Sequence, residues 1–199
     1  MLLTGLGILA TACGSASQPS GSAASPQPMV SRTPSIPPAA ASSAASPSAP
    51  AAAVPLCPAT SLRGALGAGG AAAGSSYYPI QLTNSSGRSC TLYGYPGVSF
   101  VSAPGGSQIG AAAVQNPAMA RRIVTLAPGA TASALLQVAD ARNYPAASCK
   151  PVAAHWLQVF PPGQQDALNL KYSGLTCSAQ ANSVHVLGIE TIQPGKTGQ

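Results

Sequence analysis

From residue 54 onward, turn-forming residues divide the chain into short apolar segments, and this regular punctuation restricts its fold more than any other feature. Clusters of Gly, Pro, Asn and Ser provide the interruptions, at residues 84–87, 104–106, 128–129 and 161–163. The segments between them are candidate strands, at residues 61–66, 77–83, 90–93, 98–102, 122–126, 132–139, 154–160, 167–171 and 183–189. Residues 132–139 alone could be helical by propensity, but the turn signal just before them favours a strand. Short strands at this spacing predict an all-β sandwich or barrel.

Four cysteines lie in this part of the chain, and a fifth, Cys13, lies far before them. Pairing Cys57 with Cys90, and Cys149 with Cys177, would in each case close a loop of about thirty residues between neighbouring elements. We therefore predict these two disulfides, each worth about 3–4 kcal/mol in the chain-entropy model. A crossed pairing and a zinc site are the alternatives, although zinc ligands usually have shorter local spacings.

The amino-terminal residues predict export and a lipid anchor. Residues 2–12 are uncharged and apolar, as in a secretory signal peptide, and Ala-Thr-Ala-Cys at 10–13 resembles a bacterial lipobox. Two features depart from that pattern: Leu9 lies one place too early, and the absence of Lys or Arg suggests a translation start upstream of Met1. The alternative is a short buried helix. We expect residues 1–12 to be the signal peptide and Cys13, the cysteine left over after pairing, to carry a diacylglyceryl-type lipid on the extracytoplasmic face of the cell membrane.

The segment between the predicted anchor and the predicted domain has the composition of a linker. Residues 14–54 contain 31 Ala, Ser or Pro among 41 positions, with Arg32 as the one charge and no aromatic residue. Such a segment has too little bulky apolar surface to offset the entropy cost of ordering it. Residues 13–54 are therefore predicted to be a disordered tether, with an extended length of roughly 120 Å.

One run of residues is more specific than the general strand pattern. It reads Leu-Thr-Asn-Ser-Ser-Gly at 82–87 and Cys-Thr-Leu-Tyr-Gly-Tyr-Pro-Gly-Val at 90–98. With further motifs at 124–130 and 157–163, and with the cysteines at 149 and 177, it resembles the family of domains of unknown function DUF4232. The resemblance implies an immunoglobulin-like β-sandwich, at residues 55–193 with a flexible tail at 194–199, as in secreted proteins and lipoproteins of actinobacteria. That family has no established activity, so no catalytic residue is implied.

Carboxylates and histidines are too few for the common hydrolytic sites. A glycosidase needs two carboxylates flanking one bond, and a hydrolytic triad needs a nucleophile, a histidine and an acid. The chain has three isolated carboxylates and two histidines in candidate strands: Asp140, Asp166, Glu190, His155 and His185. We therefore predict that the chain is not an enzyme and needs no cofactor or metal.

The net charge of +6 comes from nine basic and three acidic residues. The basic residues are scattered, whereas nucleic-acid binders cluster them on one face or helix, so no nucleic-acid partner is expected. The sign of the charge suits weak attraction to anionic lipid or a cell-wall polymer.

Two pairs of tyrosines form a candidate binding surface: Tyr93 with Tyr95, and Tyr77 with Tyr78. Exposed tyrosines can bind glycans or peptides, although Tyr93 and Tyr95 could instead pack over the disulfide at Cys90. The sequence thus predicts a membrane-anchored, non-catalytic module that binds a cell-envelope polymer or protein, or has a structural role. Two alternatives remain: an envelope hydrolase that pairs one of the histidines with Asp140 or Asp166, and a carrier of an apolar ligand.

Overall fold

The computed structural model describes residues 53–180 and 184–197. The predicted signal peptide at residues 1–12, the predicted lipidation site at Cys13 and the predicted tether up to residue 52 lie outside the described residues. Within the described part of the chain, no helix is both long and apolar enough to cross a membrane.

The described residues form thirteen β-strands and three short helical segments. The strands are β1 (Leu62–Leu66), β2 (Gly70–Ala72), β3 (Ser75–Asn84), β4 (Cys90–Tyr93), β5 (Gly97–Val101), β6 (Gln108–Ile109), β7 (Val114–Gln115), β8 (Ile123–Leu126), β9 (Thr131–Ala139), β10 (Pro151–Phe160), β11 (Leu168–Cys177), β12 (Leu187–Ile189) and β13 (Gln193–Pro194). The helical segments are two 3₁₀ turns, Ala59–Ser61 and Ala141–Asn143, and one α-helix, α1 (Ala146–Cys149).

The strands are arranged in two sheets and a two-stranded ribbon. The larger sheet has the order β1–β3–β9–β12–β7, with β2 also pairing with β3 and β13 also pairing with β9. The smaller sheet has the order β11–β10–β5–β6, and β4 pairs with β8 to form the ribbon. Neighbouring strands are antiparallel, except that β12 and β7 run parallel.

One hydrophobic core fills the space between the two sheets. Because side chains alternate along a strand, each sheet contributes every second residue to this core. Among the core residues that are at most 1% exposed are Ile80, Leu82 and Leu136 from the larger sheet and Phe100, Leu157 and Val159 from the smaller one. The predicted fold class, an all-β sandwich with two disulfides, is confirmed.

All nine predicted strands overlap strands of the structure. The helical alternative for residues 132–139 is wrong, because β9 pairs with β3 along one edge and with β12 and β13 along the other. The prediction for residues 183–189 is too long: β12 begins only at Leu187, and residue 183 lies outside the described residues. Sequence reasoning missed four strands of two or three residues, β2, β6, β7 and β13, which are too short to show a periodic pattern.

Both predicted disulfides are confirmed. Cys57 pairs with Cys90 at a Cα–Cα distance of 4.8 Å, and Cys149 pairs with Cys177 at 4.6 Å. The first links the segment before β1 to the start of β4, and the second links α1 to the end of β11. The crossed pairing is therefore wrong, and none of these four thiols is available to bind zinc.

The predicted domain ends at residue 193, but hydrogen bonding to the larger sheet continues beyond it into the predicted tail. β13 pairs with the first residues of β9. The Ser133 hydroxyl donates a 2.8 Å hydrogen bond to the carbonyl oxygen of Gly195, and Nε2 of Gln81 donates one of 2.9 Å to that of Lys196. Residues 194–196 are thus fastened to the sheet.

Candidate functional site

The four tyrosines of the candidate binding surface occupy separate places in the structure. Tyr77 and Tyr78 are neighbours on β3 and therefore point to opposite faces of the larger sheet. Tyr93 ends β4, where it is exposed, and Tyr95 follows in the next loop, half-buried against the core. Only Tyr93 of the four is a strongly exposed aromatic side chain.

Tyr93 belongs to an apolar surface formed by one face of the β4–β8 ribbon. It lies directly across from Ile123, and the two side chains are 51% and 70% exposed. Thr91 and Thr125 form the next pair on the same face, and Leu56, which is 52% exposed, bridges to Thr91. We call these five residues the ribbon face. It is exposed because the alternate residues of both strands point into the core.

A second candidate site is a cleft of about 200 Å³ at one end of the sandwich. Tyr78 from β3 and Tyr172 from β11 form its aromatic wall, with ring centroids 6.1 Å apart in an edge-to-face arrangement. The Tyr172 ring in turn lies 4.9 Å from that of Phe100 in the core. We define the aromatic cleft by these two tyrosines and the polar residues around them, which are Ser76, Asp140, Arg142 and Ser173.

An irregularity in the smaller sheet places Tyr172 at this position. The pairing of β10 with β11 shifts register between Ala154 and Trp156, so that His155 faces two residues of β11. These two residues are Tyr172 and Ser173, and both line the cleft. A bulge of this kind redirects the side chains of the longer strand, and such bulges are common at binding sites.

An ion pair closes the rim of the aromatic cleft. Both Nε and Nη2 of Arg142 donate to the Asp140 carboxylate at 2.7–3.1 Å, and the Arg142 backbone N–H donates to its Oδ1 at 2.9 Å. These hydrogen bonds to Arg142 lower the pKa of Asp140 from 3.8 to about 2. Asp140 is therefore a carboxylate already engaged with its neighbour, which makes it a poor general base.

The Tyr172 phenol is neutral over the physiological range. Burial is the main cause that raises the pKa of Tyr172 from 10.0 to about 12. Lys171 lines an adjoining hollow that shares Tyr78 and Tyr172 with the cleft. The arrangement offers two perpendicular tyrosine rings with hydroxyl groups and basic side chains beside them, which suits a polar ligand that has an apolar face.

The structure does not bring the histidines together with a carboxylate. His155 on β10 and His185 before β12 are both exposed, and no hydrogen bond or ion pair within the described residues joins either to an acid. His185 contributes its backbone carbonyl to the fold, accepting a 2.8 Å hydrogen bond from the Tyr144 hydroxyl. Asp166 is exposed in the turn between β10 and β11. In residues 53–180 and 184–197, no three His, Cys, Asp or Glu side chains group together as metal ligands would.

Sequence reasoning named Tyr93 of the ribbon face and Tyr78 of the aromatic cleft, but it missed the residues they lie beside. Ile123 could have been found, because Val124 and Leu126 alternate as core residues and leave Ile123 on the outer face. Tyr172 and Arg142 gave no such signal, because each becomes part of the cleft only when the sheets pack together.

The model of the family described as domain of unknown function DUF4232 matches residues 57–193, which is more than half of the chain. No curated protein and no solved structure matches the chain significantly. The sequence resemblance is thereby confirmed, and the chain belongs to the DUF4232 family of domains of unknown function.

Proposed function

We propose that this chain is an extracytoplasmic lipoprotein, held in the cell membrane through Cys13, whose β-sandwich is a non-catalytic module that binds a cell-envelope polymer. The observation that carries the anchor is the pairing of the four cysteines of the domain. With five cysteines in the sequence, this pairing leaves Cys13 for another role. Two disulfides also fit a protein that folds in an oxidising compartment outside the cytoplasm.

The aromatic cleft is the proposed ligand site. Tyr78 and Tyr172 present ring surfaces against which the apolar face of a sugar can pack, and Ser76 and Ser173 supply hydroxyl groups beside them. Arg142 and Asp140 offset one another at the rim, so Lys171 in the adjoining hollow leaves the site with a net positive charge, which favours an anionic polymer over a cationic one. Binding is favoured over hydrolysis because the one carboxylate in the cleft, Asp140, is held by Arg142.

The anchor is tested with a Cys13→Ala variant in the native host. The wild-type chain is expected to incorporate a labelled fatty acid and to sediment with membranes, and the variant to do neither. A variant that kept both the acyl label and membrane association would disprove the anchor.

Ligand binding is tested by sedimentation of the purified chain with insoluble cell-wall material that carries its anionic polymers. Tyr172→Ala and Arg142→Ala should each weaken binding, whereas Tyr93→Ala, which alters an exposed tyrosine outside the cleft, should not. Arg142 is a surface residue, so Arg142→Ala should leave the fold intact, and weaker binding by this variant cannot be attributed to unfolding. Equal binding by all four proteins would exclude the cleft, and polymer cleavage that depends on His155 or His185 would favour the hydrolase instead.

A further inference from the structure

The ribbon face holds the three most exposed large apolar side chains of the described residues. These side chains, Leu56, Tyr93 and Ile123, are each more than half exposed. Tyr93 and Ile123 lie directly across from each other on the two strands, and Leu56 lies beside Thr91 on the same face. Isolated exposed apolar residues are common on soluble proteins, but contiguous ones mark surfaces that contact another molecule or a membrane.

The charged residues that flank the two ribbon strands in the sequence, Arg88, Arg121 and Arg122, are all positive. Arg88 is exposed at the end of the ribbon where β4 begins, and Arg122 is exposed at the opposite end, next to Ile123. Arg121 lies over the Tyr95 ring at 4.9 Å, just beyond Tyr93. No Asp or Glu occurs in the sequence before Asp140, so the ribbon strands and the segment leading into them carry no carboxylate.

The amino-terminal segment enters the domain along this same ribbon. The Thr91 backbone N–H donates a 2.8 Å hydrogen bond to the carbonyl oxygen of Pro55, and the Cys57 N–H donates one of 2.9 Å to that of Thr91. Residues 54–57 therefore run beside β4, and Leu56 is part of the face itself. Any anchor at Cys13 is connected to the domain through this point.

We propose that the ribbon face docks on the anionic surface of the membrane to which the chain is tethered, an inference that rests on the proposed lipid anchor. Ile123 and Leu56 enter the boundary between headgroups and acyl chains, and Tyr93 lies at the headgroup level with its hydroxyl toward water. Arg88 and Arg122 contact lipid phosphates. The contact can be weak, because a tether raises the effective concentration of the domain at the surface to about the millimolar range.

The docking face is tested with a chain that starts at Gly14, which lacks Cys13 and the apolar segment before it. It retains every strand, core residue and disulfide of the described fold. Binding is measured by sedimentation with vesicles of phosphatidylglycerol and phosphatidylcholine in equal parts, and with vesicles of phosphatidylcholine alone. The variants are Tyr93→Ser/Ile123→Ser and Arg88→Gln/Arg122→Gln. The matched control is Leu175→Ser, which alters a similarly exposed apolar residue on β11.

We expect the chain to bind the anionic vesicles and to bind the neutral ones more weakly. The Tyr93→Ser/Ile123→Ser variant should lose affinity about tenfold, because it removes one inserted side chain and the aromatic ring at the headgroup level. The Arg88→Gln/Arg122→Gln variant should lose about fivefold and should also lose most of the salt dependence. Leu175→Ser should bind as the unaltered chain does.

Three results would overturn docking. The first is no binding to anionic vesicles at a lipid concentration of about 5 mM, above the effective concentration that a tether supplies. The second is an equal loss of affinity in the Tyr93→Ser/Ile123→Ser variant and in the Leu175→Ser control. The third is that the unaltered chain forms a dimer and the Tyr93→Ser/Ile123→Ser variant is a monomer, since the ribbon face would then contact a second copy of the chain. None of these results depends on acylation, so failure of the anchor, seen by fatty-acid labelling of the full chain, is recognised separately.

Discussion

The side-chain amide nitrogen of Asn84 donates a 3.0 Å hydrogen bond to the carbonyl oxygen of Leu126, joining the last residue of β3 to the last residue of β8. Asn84 is fully buried, and the same nitrogen also donates to the carbonyl oxygen of Arg88 at 2.8 Å. Its Oδ1 accepts hydrogen bonds from the backbone N–H and the hydroxyl of Ser86, at 3.0 and 2.7 Å. One side chain therefore shapes the turn after β3 and attaches the ribbon to the larger sheet.

We expect Asn84→Ala to lower the free energy of unfolding by about 2–4 kcal/mol, because it removes the hydrogen bonds of a fully buried amide, including the one to the buried Leu126 carbonyl. The measurement is urea denaturation followed by fluorescence of the single Trp, with both disulfides intact. Asn169→Ala is the control, because Asn169 is exposed on β11 and should change stability by less than about 0.5 kcal/mol. Equal stability of the two variants would show that the Asn84 hydrogen bonds contribute no net stability.

The two disulfides should each contribute strongly and independently. They span 33 and 28 residues, for which chain entropy predicts about 3.5–4 kcal/mol per bridge. We expect the Cys57→Ala/Cys90→Ala and Cys149→Ala/Cys177→Ala proteins each to lose roughly that amount in urea denaturation. A loss below about 1 kcal/mol for either protein would mean that its bridge adds little to a domain held by its core.

These features differ in how far the sequence alone predicts them. Turn residues and apolar segments are local signals, so they locate β3 and β9, and the loop lengths between cysteines predict the correct pairing. The aromatic cleft is not local: Tyr78 and Tyr172 are far apart in the sequence, and the bulge opposite His155 aims Tyr172 at Tyr78. A bulge depends on the register between two strands, and a single strand's residue pattern does not reveal that register.

The pKa of Tyr172 predicts a loss of stability at high pH. Burial favours the neutral phenol in the folded protein, where the pKa is about 12, over the unfolded chain, where it is near 10. The stabilising contribution is complete below the unfolded pKa, and it is lost as the pH rises through the folded pKa. Tyrosinate absorbance should therefore show a step near pH 12 that Tyr172→Phe removes, and this variant should lose less stability above about pH 10. If Tyr172→Phe instead removed a tyrosine that titrates near pH 10, the cleft would be more open to water than the structure indicates.

Alanine substitutions at Gly110 and Gly129 distinguish two causes of lost stability, a steric clash and a strained backbone conformation. Both have positive φ angles, +66° and +76°, which disfavour any residue with a Cβ. A Cβ at Gly129 would meet no atom within 4 Å, whereas one at Gly110 would collide with the carbonyl oxygen of Cys177. Gly129→Ala should therefore cost only the conformational penalty, about 1–2 kcal/mol. Gly110→Ala should cost about 1–3 kcal/mol more, because the chain at the Cys149–Cys177 bridge must shift to admit the methyl group. Urea denaturation of the two variants measures this difference, and equal losses would show that the backbone at Cys177 moves aside freely.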